Sequence, residues 1–236
     1  MKHLLFILIY LPLVVWSQTT TIADTINKID VKGKKQGYWK KIVKDTLKYE
    51  GSFKDDIPIG KFQYYYGDKK IKAITVYSDT GKSCYTTIYY PNGKKQAEGF
   101  YTNTKKDSIW KYYSENDTII SEEHYKTTKK QGIWKSFYKN GVLNEEVSWK
   151  NDVKNGTWKM YFGDGKIKSE GIFLNGKQNG LFKYYYPDQT VFMSGFYKNN
   201  LKEGVWLKYD EKGVTILKET FKNGYLVKSE DLKHSK

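Results

Sequence analysis

The chain has 236 residues, with 41 Lys+Arg against 26 Asp+Glu and a formal net charge of +15. Aromatics make up 17 %, and the 22 Tyr are strand-favouring chemistry, while only four Pro and 20 Gly exclude a collagen-like or Pro-rich disordered chain. A single cysteine excludes a disulfide-stapled scaffold. The basic excess points either to anionic partners (nucleic acid, lipid headgroups, acidic envelope polymers) or to a lysine-rich surface that keeps an aromatic sheet soluble and blunts its edges.

Residues 1–17 have the order of a secretory signal: Lys2 and His3 as the basic start, Leu4 to Val15 as the apolar run, and Val15 and Ser17 as small residues at −3 and −1 of a cleavage before Gln18. That run is too short to span a bilayer, and no later segment approaches 18 apolar residues. No Cys follows it, which argues against a lipid anchor. The expected location is therefore export: periplasm, outer cell surface or secreted. Residues 18–33 read as an extended leader.

From residue 34 to 227 the chain repeats itself. An opening anchor recurs at Trp39, Phe62, Thr86, Trp110, Trp134, Trp158, Phe182 and Trp206, spaced by 23 once and 24 six times. Two residues earlier stand Gly37, Gly60, Cys84, Ser108, Gly132, Gly156, Gly180 and Gly204. Three residues after the anchor come Ile42, Tyr65, Tyr89, Tyr113, Phe137, Tyr161, Tyr185 and Tyr209, and an aromatic returns at position fifteen, as in Tyr101, Trp149 and Phe173. Mid-unit Asn92-Gly93, Asn140-Gly141 and Asp164-Gly165 are signals for tight type I′ turns, with looser turns expected between units. Residues 228–236 read as a polar tail.

A turn at positions six and seven sets Lys111 opposite Glu122, Lys135 opposite Glu146 and Lys159 opposite Glu170. It also sets Trp158 over Gly171 and Phe182 over Gly195, an aromatic covering bare backbone. One face then carries the Gly, the anchor, an aliphatic such as Ile71, Leu143 or Ile167, and the position-fifteen ring. The other carries the Lys–Glu row and the position-three tyrosines. The fold class expected is all-β: an elongated, twisted antiparallel meander of about eight 24-residue hairpin repeats. A parallel β-helix is the alternative, disfavoured by the mid-unit turns.

Tyr49-Glu50-Gly51-Ser52-Phe53, Ala97-Glu98-Gly99-Phe100-Tyr101 and Ser169-Glu170-Gly171-Ile172-Phe173 resemble the core of MORN repeats, and the Gly-x-Trp-Lys-x-Tyr opening of Gly156 to Tyr161 is similar to the bacterial MORN-variant family. The resemblance covers roughly residues 34–227. It implies a hairpin array that serves as an interaction or membrane-association module, supplies no catalytic residue, and includes members labelled antitoxins. Thr86 and Cys84 depart from the pattern.

Catalytic chemistry is sparse, and no enzyme activity, cofactor or metal is expected. His124 stands alone in the array and His234 lies in the tail, so no triad or zinc ligand set is visible. Cys84 fills a slot otherwise held by Gly or Ser. Glu50, Glu98, Glu122, Glu146 and Glu170 obey the repeat as an ion-pair ladder, whereas a catalytic carboxylate pair would break it. The candidate binding residues are the row Tyr65, Tyr89, Tyr113, Phe137, Tyr161, Tyr185 and Tyr209, about 9.5 Å apart from unit to unit, with Lys111, Lys135, Lys159 and Lys183 alongside. Rings beside cations suit a linear anionic or sugar polymer; rings packing on one another across repeats are the competing use. The functions expected are an exported protein-interaction scaffold with an unidentified protein partner, or a binder of anionic envelope polymer, glycan or phospholipid headgroups, or an antitoxin-like role. No nucleic acid partner is expected.

Overall fold

A computed structural model describes residues 26–233. The expected signal segment falls outside them. Twenty strands follow in chain order: β1 (Lys28–Ile29), β2 (Lys35–Val43), β3 (Thr46–Lys54), β4 (Ile57–Tyr65), β5 (Ile71–Tyr77), β6 (Ser83–Tyr89), β7 (Lys95–Thr102), β8 (Lys105–Tyr113), β9 (Ile119–Lys126) and β10 (Lys129–Lys130). They continue as β11 (Gly132–Phe137), β12 (Leu143–Lys150), β13 (Val153–Tyr161), β14 (Ile167–Leu174), β15 (Lys177–Gln178), β16 (Gly180–Tyr185), β17 (Val191–Lys198), β18 (Leu201–Tyr209), β19 (Thr215–Lys222) and β20 (Tyr225–Asp231). Each pairs antiparallel with its chain neighbour; β10 with β11, and β15 with β16, are single strands interrupted by one residue. The result is one open meander sheet of hairpin repeats, as the periodicity predicts. It extends past the expected array at both ends. β1 pairs with β2 from within the leader, and β20 takes the first residues of the expected tail into the ladder.

Within each unit the register is the one the sequence sets. Lys111 pairs with Glu122, Lys135 with Glu146, Lys159 with Glu170, and Trp158 with Gly171. The turns are the reverse of the expectation. Between units, two-residue turns such as Asn151-Asp152 and Asn199-Asn200 have both residues at positive φ (50°, 69°, 53° and 71°), the type I′ geometry that matches strand twist. Mid-unit, only Gly93, Gly141 or Gly165 is positive, and the Phe162 N–H donates to the Lys166 carbonyl at 2.8 Å. That is a type I turn closed by a glycine bulge. The bulge corrects the face assignment of the aliphatics. After Met160 pairs with Ser169, Tyr161 pairs with Ile167, so Ile167 joins the tyrosine face, as do Ile71 opposite Tyr65 and Leu143 opposite Phe137.

The core lies on the aromatic face, and its packing runs between units. Gly204 (φ 68°) interrupts the ladder where Ser194 pairs with Leu207 but Phe196 with Glu203, and this brings Trp206 across onto Gly195 of the preceding unit. Phe62 covers Gly51, Trp110 covers Gly99 and Phe182 covers Gly171 in the same way; a Cβ on any of these glycines would overlap the ring. The ring over Gly171 is thus Phe182, and not its ladder partner Trp158. These four rings are 2 % exposed or less. Trp134 and Trp158, whose slot eleven residues earlier holds Glu123 or Val147, are only half-buried. Edge-on contacts with position-fifteen rings (Tyr101–Trp110 and Tyr197–Trp206, both 4.9 Å) complete the spine. Lysines four residues before the anchor lie over it: Lys106 is 4.5 Å from Trp110, Lys130 4.2 Å from Trp134 and Lys202 4.4 Å from Trp206. Part of the basic excess therefore roofs the core, and burial pulls the Lys106 ammonium below its ordinary pKa.

Candidate binding face

The face opposite the aromatic spine carries every candidate binding residue. On β13, Thr157, Lys159 and Tyr161 project together; their equivalents repeat along the sheet because strand side chains alternate. The structure brings the tyrosine row and the lysine row side by side, but it also ties the tyrosines down. Tyr113 donates from its hydroxyl to Glu98 Oε1 at 2.6 Å, Tyr161 to Glu146 at 2.9 Å and Tyr185 to Glu170 at 2.6 Å; Tyr65 donates to Glu50. Each bond reaches the carboxylate of the preceding unit. Tyr209 faces Ser194 at 3.5 Å, and Phe137 breaks the ladder because it has no hydroxyl.

Electrostatics follow from this geometry. Burial, then the hydrogen bond to the carboxylate, pushes Tyr65, Tyr161 and Tyr185 up to about 12, and the same causes raise Tyr113. The Tyr65 hydrogen bond holds Glu50 below the usual carboxylate range, with burial acting against it. For Glu98, burial pushes upward but hydrogen bonds from Tyr113, Lys95 and Tyr85 outweigh it, leaving a lowered pKa. Because tyrosines share the glutamates, the expected cross-strand ion pairs form unevenly. Lys111 lies 3.6 Å from Glu122, and Lys40 3.3 Å from Glu50. Among the described residues Lys135, Lys159 and Lys183 have no carboxylate within 4.0 Å, which leaves their ammonium groups available.

Two features of the repeat escaped sequence reasoning. The position-four tyrosines form a second ladder: Tyr66, Tyr90, Tyr138 and Tyr186 donate to the carbonyls of Tyr89, Tyr113, Tyr161 and Tyr209 in the next unit, at 2.6, 2.9, 2.7 and 3.0 Å. The second is an apolar stripe on the binding face, one residue before the anchor and fourteen after it. Val76, Phe100, Ile109, Ile133, Ile172, Leu181, Phe196 and Val205 are each 40–54 % exposed. Leu181 pairs with Phe196 across β16 and β17, and Ile172 lies opposite Thr157. A cleft of about 260 Å³ opens there between Thr157, Ile172, Leu181, Lys159 and Lys183. The signal was in the sequence as the period-24 recurrence of Ile109, Ile133, Leu181 and Val205.

The fold and this face define a single-sheet hairpin-repeat protein. The family model for the MORN repeat variant matches five segments of the array, residues 86–103, 106–127, 130–151, 154–175 and 202–223. The units opened by Trp39, Phe62 and Phe182 lie outside those matches but keep the same ladder pairing. No curated protein matches the chain. Among solved structures, a mutant of S. aureus TarM in complex with fondaparinux, alpha-GlcNAc-glycerol and UDP is similar at 12 % identity and a TM-score of 0.31, over 41 % of this chain. This chain spans 19 % of that one. A porin-like protein from Bacteroides uniformis shares 9 % identity at a TM-score of 0.20, over 81 % of this chain and 92 % of that one. Neither likeness is strong enough to carry a functional argument.

Proposed function

We propose that the protein is an exported, non-catalytic scaffold that holds a protein partner against the tyrosine–lysine face. The observation that carries the proposal is the exposed apolar stripe from Val76 to Val205. Aligned large side chains left in water over several units are the mark of a macromolecular interface. The lysines beside it add steering toward an acidic rim on that partner. The tyrosine–glutamate ladder stiffens the platform, so little order is lost on docking. Export rests on the basic start, apolar run and small-residue order of residues 1–17.

A second reading, an anionic envelope polymer or phospholipid surface as ligand, is favoured by the available ammonium groups of Lys135, Lys159 and Lys183. One experiment separates the two. The wild-type protein and an I109S/I172S/F196S variant are cross-linked in envelope extract, and each is titrated onto anionic phospholipid vesicles at low and high salt. The scaffold reading expects the variant to lose a discrete cross-linked protein species while vesicle binding stays weak. Strong, steeply salt-dependent vesicle binding that the variant retains would transfer the function to the lysines.

A further inference from the structure

The third unit interrupts the aromatic spine, and the interruption is a cavity. Its anchor is Thr86, where the flanking units have Phe62 and Trp110, and its partner slot is Thr75, where those units have Gly51 and Gly99. Thr75 and Thr86 are paired across β5 and β6, buried, with hydroxyls 3.0 Å apart. Two small side chains have replaced a glycine and a ring. Cys84 is part of the same change: unlike Gly60, or Ser108 at φ 58°, it does not adopt positive φ, and the β5–β6 ladder runs without a bulge. The space left on the aromatic face is about 350 Å³, walled by Tyr64, Tyr77 and Tyr101, floored by Thr75 and Thr86, with Lys72 and Lys82 at its rim.

We propose that this notch is a binding site for a small molecule made of one flat aromatic ring system and a carboxylate. The ring argument is internal to the fold. Tyr77 holds the place from which Phe53 meets Phe62 edge-on at 5.1 Å and Tyr101 meets Trp110 at 4.9 Å, and its own counterpart at position 86 is missing. The walls are shaped for a ring the chain does not supply. The volume lies at the lower end of small-molecule sites, about 300–1,000 Å³. The carboxylate is assigned to one of the two lysines at opposite ends of the notch, Lys72 or Lys82, neither of which has an acidic partner within 4.0 Å among the described residues. This site is on the face opposite the proposed partner surface and stands independently of it.

The test uses the full chain with indole-3-acetate as probe, and indole and acetate as controls, followed by calorimetric titration. Indole-3-acetate should bind, indole about fivefold more weakly, and acetate not at all. In a T75G/T86W variant, which restores the composition of the other units, the ring should fill its own notch. Indole-3-acetate affinity should then fall at least about tenfold while the melting temperature rises. Cys84 lines the cavity, so on the wild-type chain saturating probe should slow its alkylation by iodoacetamide. That arm holds even if the double variant misfolds. No binding of indole-3-acetate at millimolar concentration, unchanged affinity in a folded T75G/T86W, or alkylation indifferent to the probe would each overturn the proposal.

Discussion

Replacing Gly195 and Trp206 by threonine, singly and together, tests whether the core is built from ring-on-glycine pairs between units. Trp206 is 1 % exposed and lies flat on Gly195, so Trp206→Thr empties a ring-sized space and should cost about 3–5 kcal/mol. Gly195→Thr forces a side chain into the ring it lies beneath, an overpacking worth about 1–3 kcal/mol. The double variant reproduces Thr75 and Thr86, whose hydroxyls already bond to each other at 3.0 Å. The two substitutions relieve one another: the threonine introduced in place of Gly195 fills part of the space the indole leaves, and each hydroxyl gains a partner. The double variant should therefore be more stable than the sum of the singles predicts by about 1–3 kcal/mol. Urea unfolding measures the cycle, and amide hydrogen exchange should confine the loss to β16 through β19, since each repeat touches mainly its neighbours. Losses that add to within about 0.5 kcal/mol would refute ring-on-glycine coupling.

The tyrosine–glutamate ladder gives further expectations. Tyr185→Phe removes the 2.6 Å bond to Glu170 and should cost about 1–2 kcal/mol in a urea melt, whereas Phe137→Tyr, which supplies the missing hydroxyl near Glu122, should not destabilise. The pH dependence has a definite sign. Tyr65, Tyr161 and Tyr185 have folded-state values near 12, above the ordinary tyrosine value of 10.0, so their contribution is complete below pH 10 and is lost as pH rises toward 12. Tyrosinate absorbance should show a late-titrating group of rings and an unfolding transition that coincides with it. At the other end, Glu50 is lowered, so its contribution is present above the usual carboxylate range and is lost as acid protonates it; Tyr65→Phe should shift that acid transition upward. Mass spectrometry of the protein from its native host should find Gln18 or a near neighbour as the first residue.

Much of the fold was legible because its signals are local and periodic. The 24-residue spacing of Trp110, Trp134 and Trp158 fixes the unit, and the Lys111–Glu122 and Trp158–Gly171 pairings follow from it. The two-residue count for the mid-unit turn yields the correct register for most of each hairpin, since a bulge displaces only the residues next to the turn. That same bulge moves Ile71 and Ile167 to the other face. What the sequence hides is what happens between units. A left-handed residue at Gly204 rotates Trp206 onto Gly195, a contact that no cross-strand count within one hairpin contains. The tyrosine row is legible as a row, but the hydroxyls of Tyr65, Tyr113, Tyr161 and Tyr185 are spent on glutamates of the preceding unit, and the apolar stripe beside it is inconspicuous because each member alone is an ordinary strand residue.

In the proposed scaffold a partner docks on the apolar stripe and leaves the aromatic spine uncovered. Hydroxyl-radical footprinting of the purified complex, read residue by residue, distinguishes the two faces. Phe100, Ile109, Ile133, Leu181 and Phe196 should be protected, with Trp134 and Trp158 reacting as in the free protein. Protection of those tryptophans with the stripe left reactive would contradict it.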